Sequence, residues 1–444
     1  MLHLASLLAT PGIHLYGWRH PDADPAVDMD FDFYVRTTQA AERAKLDAVF
    51  LADSVAVPGY GKPEVATTGK SRYPRLAGLE PISLITALAP LTRNIGLIAT
   101  MTTTYNEPYH VARRMASVDH LSKGRAGWNL VTSEAEEESL NFGFEQHLEH
   151  SQRYVRGGEF HDVVTALWDS WDEDAFVLDK ATGQIFDPAK VRRIDHKGEY
   201  FTVQGPLNVP RPPQGHPVIA QAGASDPGRE LAARTADLVF VAAQTLDEAK
   251  EYYDDVKGRL ARYGRSKDSL RILAGIVPVV ADTDEQAARI VDQLAGFMTD
   301  EDAVAQLQRW AGDLDLTALP LDEPLPELPE INNAKGRQKM LVDMARRDNL
   351  TLGDLARRFA GTLGHRLVFG SAQTIADDLQ LWHESGAADG FMLISPYYPG
   401  PAIDFFDKVV PELQRRGIFR TEYSGQTLRD NLEIAVPANQ FHNK

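Results

Sequence analysis

The chain has no cysteine among its 444 residues, no block of basic side chains and no long apolar run. Each absence removes a class of function. Without cysteine there is no disulfide framework, iron–sulfur cluster, thiolate zinc site or cysteine nucleophile. With 46 basic against 63 acidic side chains the formal charge is −17, the wrong sign for displacing counterions from a phosphate backbone, which argues against non-specific nucleic-acid binding. No stretch of about 18 apolar residues is available to span a bilayer. Residues 2–8 are apolar but carry no basic residue before Arg19 and run into Pro11 and Gly12 without a cleavage signature, so they read as a strand. The expectation is a cytoplasmic protein that binds neither nucleic acid nor membrane.

What is present is an alternation. Apolar runs of strand length fall at residues 2–8, 48–52, 95–101, 125–131, 217–222, 237–242, 270–280 and 390–395. Amphipathic stretches of helix length lie between them, clearest at 31–46, 108–121 and 404–416. Strand and helix alternating eight times suggest an α/β fold of the closed (β/α)₈ TIM-barrel type with insertions, rather than an open sheet. The uneven spacing puts insertions near 54–78, 172–216 and 296–351, and leaves 421–444 as a tail after one barrel domain spanning 1–420. Loops after the carboxyl ends of barrel strands build active sites, so these insertions read as covers over a pocket.

Several motifs fail on inspection. Thr68-Gly69-Lys70-Ser71 resembles the end of a phosphate-binding loop, but Glu64 stands where that loop needs glycine. His147 and His150 would share one helix face, yet no HExxH pattern or nearby third ligand accompanies them, so no metal is expected. Gly223-Ala224-Ser225 lacks the second glycine of a nucleophile elbow. The acidic run Glu134 to Glu138 reads as the first turn and solvated face of a helix.

Polar residues gather at the predicted strand ends, where a barrel presents its chemistry. Asp53 and Ser54 end the second strand, Thr100 and Thr102 to Thr104 the third, and Asn129 with Thr132 and Ser133 the fourth. After the fifth strand, Gly223 permits a tight turn and Ser225 either caps the next helix or joins its free N–H groups in holding a phosphate. His150 and Tyr154 lie four apart on a helix beginning near Ser151, so both reach one ligand group or pack together in a core.

In that order along the chain, Phe50-Leu51-Ala52-Asp53-Ser54, the segment Leu97 to Tyr109, Gly127-Trp128-Asn129-Leu130-Val131-Thr132-Ser133, Asn141-Phe142-Gly143, His150-Ser151-Gln152-Arg153-Tyr154 and Gln221-Ala222-Gly223-Ala224-Ser225 resemble the bacterial luciferase-like superfamily. The branch resembled is that of the two-component FMN-dependent monooxygenases acting on nitrilotriacetate, dibenzothiophene sulfone and long-chain alkanes. The resemblance implies reduced FMN (FMNH2) from a separate NAD(P)H:FMN reductase, O2 as co-substrate, and transfer of one oxygen atom to a small organic substrate through a flavin peroxide. Carried over by position, it implies contacts from Asp53, Thr100, Thr102 and Asn129 to the isoalloxazine side, and from His150, Tyr154, Gly223 and Ser225 to the ribityl and phosphate end. It also matches His14 to a histidine loop on the substrate side, as a catalytic proton donor or acceptor, with His365 as a second candidate. Tyr16, Trp18, Tyr60 and Tyr397 form either an apolar wall or ordinary packing. A homodimer or homotetramer is expected on the same resemblance. A deazaflavin-dependent oxidoreductase of the same fold and a non-oxygenase barrel holding a phosphorylated ligand remain the competing readings.

Overall fold

The computed structural model describes residues 1–57, 76–312, 314–332 and 335–442. Tyr60 and the segment 68–71 lie outside the described residues, as does most of the insertion near 54–78. Eight strands form the barrel: β1 (His3–Leu7), β2 (Ala48–Leu51), β3 (Gly96–Thr102), β4 (Ala126–Val131), β5 (Val218–Gln221), β6 (Leu238–Val241), β7 (Arg271–Val280) and β8 (Gly390–Ile394). Every neighbouring pair is parallel, and β8 returns to β1 through Ala5↔Met392, which closes the ring. Seven of the eight strands lie within the runs read from the sequence, and the third passes its run by one residue, Thr102. Parallel strands covered on both faces bury both sets of side chains, which is why they read as continuous apolar runs rather than alternating ones.

The helices that position the site are α1 (Phe31–Arg43), α2 (Pro108–Ser122), α3 (Glu136–Leu140), α4 (His150–Trp168), α5 (Asp226–Thr235), α6 (Asp300–Leu307), α7 (Lys335–Arg347) and α8 (Leu352–Ala360). Their starts follow local chemistry. Asp30 caps α1 by accepting from Asp32 N, Pro108 opens α2, and Ser225 caps α5 by accepting from Gly228 N.

A ninth strand, Arg366–Gly370, runs parallel to the distal half of β7, pairing Leu367 with Val277 and Phe369 with Val279. It was not read from the sequence. The ten-residue length of β7 was the available signal, since its proximal half pairs β8 and its distal half needs another partner. The helical stretch read at 404–416 also differs from the sequence reading. It begins at Gly400 and passes through a π-turn, Phe405–Val409, before Val410–Arg415. Pro411 has no N–H to give the preceding turn, which favours this irregularity.

The insertion near 296–351 is itself folded. Helices α6 and α7 pack with α8 around Leu307, Trp310, Leu341, Met344, Leu355 and Phe359, an apolar cluster separate from the barrel's own. At the opposite end, Leu428, Leu432 and Ile434 of the tail join Ile98, Val218 and Leu238 under the barrel floor. Gly96 makes room for them, because a Cβ there would stand 2.4 Å from Leu428. No helix among the described residues is long and apolar enough to cross a membrane.

Candidate functional site

A cavity of about 1160 Å³ opens at the carboxyl ends of β2 to β5, beneath the insertion. Its floor is set by β3 and β4. Thr100 Oγ1 donates to Leu51 O at 2.8 Å and accepts from Asn129 Nδ2 at 2.8 Å. Asn129 Oδ1 is then buried without a partner. Beside it, Thr102 Oγ1 accepts from Ser133 Oγ at 2.9 Å and from Thr104 N at 3.1 Å. Ser133 takes the left-handed backbone, φ 58°, a strained choice for serine that turns the chain at the end of β4.

One end of the cavity is rich in donors. His150 and Tyr154 stand one turn apart on α4 with ring centroids 4.9 Å apart. The Tyr154 hydroxyl lies 3.5 Å from Ser225 Oγ, which itself accepts from Gly228 N at 3.3 Å. Two glycines allow this closeness, since a Cβ on Gly223 would sit 3.2 Å from Gly228 Cα, and one on Gly228 3.3 Å from the Tyr154 hydroxyl. Burial, then the nearby Arg153 and Lys335, push the His150 imidazole below its ordinary pKa.

Of the residues singled out by sequence, Asp53, Thr100, Thr102, His150, Tyr154 and Gly223 line this cavity. Asn129 reaches it through Thr100, and Ser225 stands behind Tyr154 and Gly228. His14 does not line it. It faces a second cavity of about 400 Å³, together with His365, Val277, Leu294 and Met298. The two cavities are neighbours. Gly12, Ile13 and Leu363 line the large one, while His14, Gly361, Thr362 and His365 line the small one, so two short chain segments form the partition.

The two histidines differ in tautomer. His14 Nδ1 accepts from Tyr16 N at 3.2 Å, which leaves the proton of the neutral ring on Nε2. Burial lowers its pKa to about 4. His365 Nε2 accepts from Arg337 at 3.0 Å, so its proton sits on Nδ1, buried without a partner over Gly275. Burial and the Arg337 charge hold this ring neutral as well.

Two expectations are corrected, those for His147 and for the run Glu134 to Glu138. His147 lies before α4 rather than on it, so it shares no helix face with His150; its Nδ1 bonds instead to the Tyr105 hydroxyl at 2.5 Å. Among the described residues no group of three or more His, Asp or Glu side chains is placed to hold a metal. The run Glu134 to Glu138 is not simply a solvated face. Helix α3 has five residues, and Glu138 turns inward with 5% exposure to accept from Ser54 Oγ at 3.3 Å and Val55 N at 3.2 Å. Tyr16, Trp18 and Tyr397 line neither cavity; Tyr16 bonds Asp302 at 3.0 Å and Tyr397 stacks on His20 at 4.2 Å. Sequence reasoning missed Arg153, Trp310 and Asn332, all on the wall of the large cavity. Nothing in a sequence marks an arginine as buried, and the other two come from an insertion whose path only the fold reveals.

The barrel and its polar strand ends define a class of enzyme. The model of the luciferase-like monooxygenase family matches residues 12–389, and the chain belongs to that family. It is 47% identical over 444 residues to nitrilotriacetate monooxygenase component A of Aminobacter aminovorans, covering 99% of this chain and 97% of that one. It is 46% identical over 442 residues to N-acetyl-S-(2-succino)cysteine monooxygenase of Bacillus subtilis, covering 99% and 98%. Among solved structures, a riboflavin lyase with modified FMN and riboflavin superposes with a TM-score of 0.85 at 34% identity, covering 97% of this chain and 95% of that one.

Proposed function

We propose that this chain is the oxygenase component of a two-component monooxygenase, taking reduced FMN from a separate NAD(P)H:FMN reductase. The observation that carries the reading is the two-ended large cavity. Its floor presents Thr100, held from behind by Asn129, and Thr102 to a flat ring, and its far end offers hydroxyl and imidazole donors to a phosphate. These residues fit a phosphorylated flavin. Asp53, Thr100, Thr102 and Asn129 hold the ring system, and His150, Tyr154, Gly223 and Ser225 the ribityl-phosphate.

Bound reduced FMN supplies the electrons that activate O2, so that one oxygen atom enters the substrate and the other leaves as water. The chain's part is positioning, exclusion of water and proton movement. The insertion covers the cavity with Trp310, Ile331 and Asn332. His14, neutral and with its proton on Nε2, acts from the smaller cavity as a hydrogen-bond donor beside the organic substrate, whose apolar part fits among Val277, Leu294 and Met298. The relatives point to the first compounds to assay, nitrilotriacetate and N-acetyl-S-(2-succino)cysteine. The chain acts in the cytoplasm as a homodimer or homotetramer, each copy one barrel domain over 1–420 followed by the tail 421–444.

Anaerobic titration with photoreduced FMN, followed by oxygen uptake with and without substrate, tests the reading. Tight binding of the reduced flavin and substrate-dependent product are expected. Failure to bind FMN in either redox state would remove the proposal.

A further inference from the structure

Arg153 is a buried cation with an unusual set of partners. It lies in the first turn of α4 with 2% exposure. Its guanidinium donates to two backbone carbonyls, those of Ser133 and Asn332, and its Nε has no acceptor. Among the described residues no carboxylate stands at ion-pair distance from it. Carbonyl dipoles do not neutralise a guanidinium, and although the charges of the nearby Glu134 and Glu138 support it, burial outweighs them and lowers its pKa, so the compensation is only partial. The energetic remedy is an anion, and Arg153 lines the same cavity as its neighbours His150 and Tyr154.

The two carbonyls belong to different parts of the molecule. Ser133 ends β4 in its strained turn and touches Thr102. Asn332 belongs to the insertion and is fastened again nearby, accepting from His150 N at 2.9 Å and donating to Leu148 O at 3.4 Å. One guanidinium therefore joins the floor of the cavity, its donor-rich end and its cover.

We propose that Arg153 is a phosphate-dependent clasp: its charge pairs with the phosphate of the ligand, and its bond to Asn332 ties closure of the 296–351 insertion to that pairing. This rests on the FMN reading above and adds how the site tells FMN from riboflavin. A flavin without phosphate fills the cavity but leaves the guanidinium with only the partial support of Glu134 and Glu138, and the insertion less firmly held.

Arg153→Met and Arg153→Lys test it, with dissociation constants for FMN and riboflavin and with hydrogen exchange of the amides of residues 314–332. Removing a partner from a charged acceptor predicts a rise of about 10- to 100-fold in the FMN constant for Arg153→Met. The riboflavin constant stays the same, and Arg153→Lys, which keeps the charge and serves if the Met variant does not fold, falls between for FMN. FMN, and inorganic phosphate alone, protect the segment in the unsubstituted protein; riboflavin does not, and the protection is lost in Arg153→Met. An equal loss of affinity for both flavins, or FMN-specific protection that survives in Arg153→Met, overturns the clasp while the FMN reading stands. An unsubstituted protein that binds neither flavin overturns both.

Discussion

His14, just past the first barrel strand, and His365, just before the outer strand, face one cavity of about 400 Å³. Both rings are held neutral by burial, but they carry their protons on opposite nitrogens, His14 on Nε2 and His365 on Nδ1. They are not interchangeable. His14 can turn a proton toward Gly361 and the cavity, whereas the His365 proton faces the barrel wall at Gly275.

His14→Ala is expected to leave FMN affinity nearly unchanged and to uncouple the reaction, so that reduced flavin is consumed while hydrogen peroxide replaces product. A group that acts only in the chemical step changes rate without changing cofactor binding. Product and peroxide are measured together with the FMN dissociation constant. A parallel fall in product and FMN affinity would assign His14 a structural role.

The same residue predicts acid sensitivity. Its folded pKa is about 4 against an ordinary value of 6.5. The unfolded chain therefore takes up a proton between those values that the folded chain refuses. Stability associated with His14 is present above pH 6.5 and lost as the pH falls toward 4, by up to about 3 kcal/mol. Melting temperatures at pH 7 and pH 5 check this: the drop between them should be smaller in His14→Asn than in the unsubstituted protein.

Tyr154→Phe and Ser225→Ala should each weaken FMN binding by about 1–3 kcal/mol, with riboflavin as the control that remains unchanged. Ser225→Ala carries a second cost of about 1 kcal/mol in stability, because Ser225 also caps α5. Titration with both flavins separates the effects. If riboflavin affinity falls as far as FMN affinity, these residues do not hold the phosphate.

Gly275→Ala should destabilise the fold by about 1–3 kcal/mol through overpacking. A Cβ there would stand 2.5 Å from His365 Nδ1 and 2.6 Å from the Phe240 ring, and those rings are stacked at 5.1 Å with little room to separate. Thermal unfolding measures it. An unchanged midpoint would mean that the rings yield easily.

Tyr16→Phe removes the bond that joins the β1 loop to α6 at Asp302. Faster proteolytic cleavage within 296–332, with barrel stability unchanged, is the expected result. An unaltered cleavage rate would show that Asn332 and the packing around Trp310 hold the insertion without Tyr16.

The barrel was legible because its strands are buried on both faces and its helices on one, so each element left a periodic signature in its own residues. The same holds for the Ser225 cap and for the pairing of His150 with Tyr154, where neighbours in sequence are neighbours in space. The ninth strand, Arg366–Gly370, left none: its Leu367 and Phe369 stay partly exposed, at 37% and 42%, on one edge of β7. The inward turn of Glu138 was equally hidden, since a glutamate in an acidic run looks the same whether it meets water or the Ser54 hydroxyl.

By itself, then, the sequence determined the strand and helix alternation, the acidic, cysteine-free character and the local motifs of the strand ends, all properties of residues close together in the chain. Only the tertiary structure decided that His14 and His365 share one cavity while Asp53, Thr100 and Tyr154 share another, and that the insertion reaches back to Arg153 through Asn332. Those are contacts between distant segments, and they depend on where packing carries each loop rather than on the residues the loop contains.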